Sequence, residues 1–137
     1  MKRKRIHYIK NQIIVGLYYC LTKCILFNDR HILLVLKDKK AFNEINNYLL
    51  EKDIQNKYSK KLKEFAIHKY AINLVFTNGS ILNIHHLWGD GSYDRHGTRA
   101  HEVYAVGDIS HDMDIIFKCL CTLPFKNKKR KEENKNV

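Results

Sequence analysis

Between His85 and Asp114 the chain gathers eleven side chains able to bind metal or move protons: His85, His86, Asp90, Asp94, His96, His101, Glu102, Asp108, His111, Asp112 and Asp114. Oxygen and imidazole ligands of this kind serve phosphodiester hydrolysis when a divalent cation holds the attacking water. Asp90, His101 and Asp108 are the candidate ligands for a metal-dependent nuclease. Spacing speaks against a dedicated centre. Strand alternation sends His85 and His86 to opposite faces, and neither H-E-x-x-H nor H-x-x-x-H falls on an expected helix. Nucleophilic catalysis has less support still, because no G-x-S-x-G elbow occurs. Cys20 with Cys24 and Cys119 with Cys121 stand at C-x3-C and C-x-C spacing inside apolar segments. They read as buried thiols rather than zinc knuckles, and suit a reducing, cytoplasmic setting. Nothing in the motifs calls for a cofactor.

Twenty-five Lys and Arg against 14 Asp and Glu leave a formal charge of +11, and much of that excess lies at the two ends. Lys2, Arg3, Lys4 and Arg5 open the chain. Lys128, Lys129 and Arg130 fall in a closing stretch, residues 126–137, with almost no apolar residues. The expected organisation is one domain over residues 6–125 followed by a basic, solvated tail. Cationic arms of this type attract phosphates without reading sequence. Together with Arg95 and Arg99, in the glycine-rich loop after Trp88, they form the candidate nucleic-acid contacts. Trp88 and Tyr93 could stack on bases there.

These side chains need elements to position them. Residues 11–27 are too long and too uniformly apolar for an exposed strand, and at 15 residues Ile13 to Phe27 is too short to cross a bilayer. A buried helix is expected, then a turn at Asn28 and Asp29. "HILLVLK", residues 31–37, is continuously apolar, as a strand covered on both faces of a parallel sheet is. A helix over 39–51, with a broken extension toward Leu62, comes next. Residues 71–87 alternate on either side of Asn78-Gly79 and predict a β-hairpin. After the 88–100 loop, "EVYAV" is a buried strand, and 111–123 is a helix capped by Ser110 or His111. The sum is an α/β fold with a mixed sheet and flanking helices.

"INLVFTNGSILNIHHL" followed by "RHGTRAHEVYAVGD" resembles the middle of the ATPase domain of phage large terminases, and the likeness runs over about residues 11–115. It implies that the Asn-Gly-Ser turn opens a hairpin and that the strand 102–106 carries the Walker B carboxylate, placing Asp108 near magnesium. Two departures from that pattern matter. Ile109 stands where the family has the glutamate that prepares the attacking water, and no GxxxxGK[ST] loop is present in these residues to cradle phosphate. The resemblance therefore implies a non-hydrolysing, terminase-like phage or prophage protein. Its partner would be nucleic acid or a nucleic-acid-processing complex, with no membrane involved. A protein-binding inhibitor of a host nucleic-acid enzyme or defence system is the alternative.

Because neither the cysteines nor the histidines have the spacing of a closed structural site, folding should not need metal. Thermal melts with and without chelator should superimpose. A midpoint that falls with chelator and returns with zinc would contradict this.

Overall fold

The computed structural model describes residues 5–10, 12–93 and 98–125. Six strands form one mixed sheet: β1 (Ile6–Ile9), β2 (His31–Leu36), β3 (Leu62–Ile67), β4 (Ala71–Phe76), β5 (Ile81–His86) and β6 (Glu102–Val106). Their spatial order is β1-β6-β2-β5-β4-β3. The β1–β6, β6–β2 and β2–β5 pairs are parallel, whereas β4 pairs antiparallel with both β5 and β3.

The central strands explain their own composition. Along β2, Ile32, Leu34 and Leu36 enter one core while Leu33 and Val35 enter the other. β6 divides likewise, with Tyr104 and Val106 on the first face and Val103 and Ala105 on the second. Two buried faces leave no position for a polar residue, so alternation disappears from the sequence.

Helix α1 (Ile13–Leu26) and helix α2 (Lys39–Leu49) cover the first face, burying Leu17, Leu21, Phe42 and Ile45. Gly16 lets α1 lie directly on β6, since a Cβ there would stand 2.6 Å from Val106 Cγ2. Asp38 starts α2 by accepting the Ala41 amide at 2.8 Å. A short helix α3 (Lys52–Tyr58) follows. The second face is covered by α4 (Asp114–Leu120), through Phe117 and Leu120, together with Leu87, Tyr93 and Ala100 of the β5–β6 connection. No described helix is long and apolar enough to cross a membrane.

The α/β class, the mixed sheet, the hairpin and the all-apolar strand are as expected. Two strands were not anticipated. β1 lies hidden in the basic opening, and β3 starts where the broken helical extension toward Leu62 was expected to end; α3 supplies that extension and stops at Tyr58. The closing helix is also shorter than 111–123, a 3-10 turn (His111–Met113) leading into α4. Ser110 caps this turn, its hydroxyl accepting the Asp112 amide.

The Asn78-Gly79-Ser80 turn has a structural task. Asn78 Nδ2 donates to the carbonyls of Cys24, Ile25 and Phe27 at 2.8–3.2 Å, satisfying the open end of α1. Ser80, fully buried, donates to Phe27 O and accepts the Arg30 amide. Gly79 is left-handed (φ +88), and a Cβ there would fall 2.1 Å from Asp29 Oδ1. The hairpin turn is thus the C-terminal cap of α1. Asn78→Ala should lower stability by roughly 1–3 kcal/mol by stranding these carbonyls, measured by urea unfolding. An unchanged midpoint would contradict the capping role.

Candidate functional site

Because β1, β6 and β2 run parallel, each sends its carboxyl end to the same rim of the sheet. Ligands bind along such rims in open α/β sheets. Here Lys10 follows β1, Lys37 follows β2, and Gly107-Asp108 follows β6. They line a cleft of about 580 Å³ with Gln12, Ile13, Ile14 and Glu44. Helix α1 opens onto it from Gln12 without a side-chain cap or an acidic residue in its first turn. The floor is tight: the Gly107 amide donates to Ile9 O at 3.0 Å, and Gly107 is left-handed (φ +101) against the Lys37 stem. Asp108 is exposed beside the cleft, and Ile109 is buried in the second core. Two lysines and two carboxylates face a helix N-terminus there. This set can hold an anionic group, and Ile109, the residue after Asp108, adds no polar group to it.

The opposite rim is built around Glu102. Its carboxylate is buried and meets His7 Nε2 at 2.9 Å, Lys23 Nζ at 3.0 Å and Arg30 Nη1 at 2.8 Å. Burial pushes the Glu102 pKa up, but hydrogen bonds from His7, Lys23 and Arg30 outweigh that and hold it at about 2. Aromatic rings complete the cluster. His7 stacks on Tyr104 at 4.5 Å, and Arg5 and Arg30 both lie over the Phe125 ring. His101 stacks on Phe125 as well, and its Nδ1 accepts the His31 amide at 2.8 Å. Burial and the Arg30 charge push the His101 pKa down.

The sequence-derived candidates are therefore distributed rather than gathered. His101 and Asp108 lie at opposite ends of β6, on the order of 20 Å apart at the rise of an extended strand. Asp90 is in an exposed turn, accepting from the Ser92 amide and hydroxyl. Among the described residues no three metal-ligating side chains come together. Arg5 is occupied internally, donating to the carbonyls of His101 and Leu123. Arg99 is exposed, its Nε donating to Thr122 Oγ1 at 2.8 Å. Lys2, Arg3, Lys4, Arg95, Lys128, Lys129 and Arg130 lie outside the described residues.

Tyr93 is buried, with its hydroxyl 2.7 Å from His85 Nδ1, so it belongs to the core and not to a stacking surface. Trp88 is half-buried and packs against Tyr70 and His86. Cys20, Cys24 and Cys121 are buried free thiols, that of Cys24 pushed up to about 12 by burial. Cys119 corrects the expectation for the fourth: it is exposed, one residue off the buried face of α4. The partners of Glu102 were missed because His7, Lys23 and Arg30 lie far apart in sequence, and only their meeting gives them a role.

The architecture is an open mixed sheet with helices on both faces. Among solved structures it is similar to the large terminase of a thermophilic bacteriophage, with a TM-score of 0.51 at 11% identity. The match covers 89% of this chain and 30% of that one. The distant resemblance read from the Asn-Gly-Ser hairpin and the "EVYAVGD" strand thus extends to the fold. No protein-family model matches the chain, and no curated protein matches it.

The low pKa of Glu102 carries a sign. Lowered from the ordinary 4.5 to about 2, it contributes stability that is complete above about pH 4.5 and fades as pH falls through about 2. Glu102→Gln should therefore flatten the acid limb of a stability-against-pH curve. Equal acid sensitivity in variant and parent would remove Glu102 from that role.

Proposed function

We propose that this protein is a non-hydrolysing, terminase-like phage or prophage protein that binds nucleic acid through basic surface groups. The observation carrying this reading is the β1–α1 connection. Only Lys10, Asn11 and Gln12 separate Ile9 from Ile13, too few to wrap a triphosphate as a glycine-rich phosphate loop does. Buried Ile109 after Asp108 supports the same conclusion, since an apolar side chain cannot orient an attacking water. What the rim keeps is Lys10 and Lys37, together with Glu44 and Asp108, beside an open helix N-terminus, and the two lysines with that terminus would grip a phosphate. The surplus of cations over the whole chain favours the same class of partner.

Two measurements test the reading. Phosphate release from ATP with magnesium and DNA should stay at background, and turnover abolished by Asp108→Ala would overturn the non-hydrolysing assignment. DNA affinity should fall steeply with salt, each engaged Lys or Arg adding roughly 0.9 to the negative log–log slope. Removing residues 126–137, or Arg99→Ala with Lys37→Ala, should flatten it. Affinity that persists at high salt would contradict the electrostatic account, and no binding at low salt would end the nucleic-acid reading.

A further inference from the structure

At the far side of the sheet from β1, the strand β3 has one neighbour among the described residues, β4, and none of them pairs with its other edge. Behind that edge runs a groove of about 540 Å³ between β3 and the end of α2 with α3. Leu50, Ile54, Tyr58, Leu62 and Phe65 are among its lining residues. This face is incompletely covered. Helices α1 and α2 shield β6, β2 and β5, whereas α3 has seven residues, and Ile54, Leu62, Phe65 and Ile67 stay only partly buried against the core. Leu50, at the mouth of the groove, is 51% exposed. An unpaired strand edge beside apolar side chains is the arrangement that accepts an added strand, the backbone supplying hydrogen bonds and the groove taking alternate side chains.

The charges around it select the occupant. Lys63 and Glu64 are the charged residues lining the groove, and the exposed Lys57, Lys60 and Lys61 flank its lining residues Tyr58, Ser59 and Leu62 in sequence, so the segment 57–64 carries four lysines against one carboxylate. A second copy docking at the same place would bring two segments of like net charge together, which disfavours self-association. Carboxylates alternating with apolar residues would instead answer both the rim and the groove. We propose that β3 and its groove bind an acidic, extended segment of a partner protein, which joins the sheet as a further strand. This goes beyond nucleic-acid binding and uses a different surface.

The full chain is titrated into a labelled peptide of alternating valine and glutamate, with fluorescence anisotropy as the readout. A matching valine–lysine peptide and a version with proline at its centre, which loses ladder hydrogen bonds, serve as comparisons. The valine–glutamate peptide should bind saturably, the other two more weakly, and β3 amides should exchange more slowly in the complex. Leu50→Glu should weaken binding by roughly tenfold, since it removes apolar contact at the mouth of the groove and sets a carboxylate against the acidic peptide. Since Leu50 is half exposed the variant should fold, which circular dichroism checks, and Lys60→Glu with Lys61→Glu, outside the groove lining, should weaken the valine–glutamate peptide through charge alone. Absent binding, equal binding of the lysine peptide, or protection elsewhere on the sheet would overturn the proposal. So would a concentration-dependent dimer broken by Leu50→Glu, which would assign the edge to a second copy, or displacement of the peptide by single-stranded DNA with protection retained at β3.

Discussion

One buried carboxylate joins most of the separate parts of this fold. Glu102 begins β6, and its three hydrogen-bonding partners, His7, Lys23 and Arg30, come from β1, from the last turn of α1 and from the residue before β2. Burying a carboxylate is costly unless the surrounding donors compensate, and here three of them converge on two oxygens. That geometry exists only when β1 is paired, α1 is seated on the sheet and the α1–β2 turn is closed. The turn in turn depends on Asn78 and Ser80, which hold its carbonyls from the hairpin. A polar cluster therefore fixes the arrangement of elements whose apolar faces would tolerate several.

The two ends of β6 consequently have different characters. At its amino end the charged groups are internally partnered: Glu102 is saturated by donors, and Arg5 is spent on backbone carbonyls and an aromatic ring. At its carboxyl end Lys10, Lys37 and Asp108 surround an open cleft. The first arrangement stabilises, and the second is available to a ligand. Charge counted along the sequence cannot separate them, because Arg5 and Lys10 contribute equally to the total.

Legibility followed the physics of each segment. β2 was readable because burial on both faces leaves an unbroken apolar run, and the hairpin because Asn78-Gly79 sits between two alternating stretches. β1 was not, since four residues flanked by Arg5 and Lys10 look like part of a basic arm. β3 failed for another reason: Lys63 and Glu64 interrupt its alternation where the register slips against β4 between Leu62 and Glu64. The site was legible only in part. Asp108 could be placed at the end of a buried strand from its neighbours, but the separation of His101 from Asp108 needed the strand to be seen as fully extended, and the Glu102 cluster needed three distant segments to meet.

The pairing of β1 with β6 also governs when the fold can close. Ile6 lies opposite Val103, so β1 has no partner in this sheet until β6 has been made. β2 waits similarly, because both of its neighbours, β5 and β6, come later in the chain. The β3–β4–β5 meander, by contrast, is local and can form at once. Assembly during synthesis should thus begin at the meander and finish at the opposite edge, with α1's apolar face uncovered for most of that interval. A nascent chain of this design is exposed to off-pathway association until its last strand arrives.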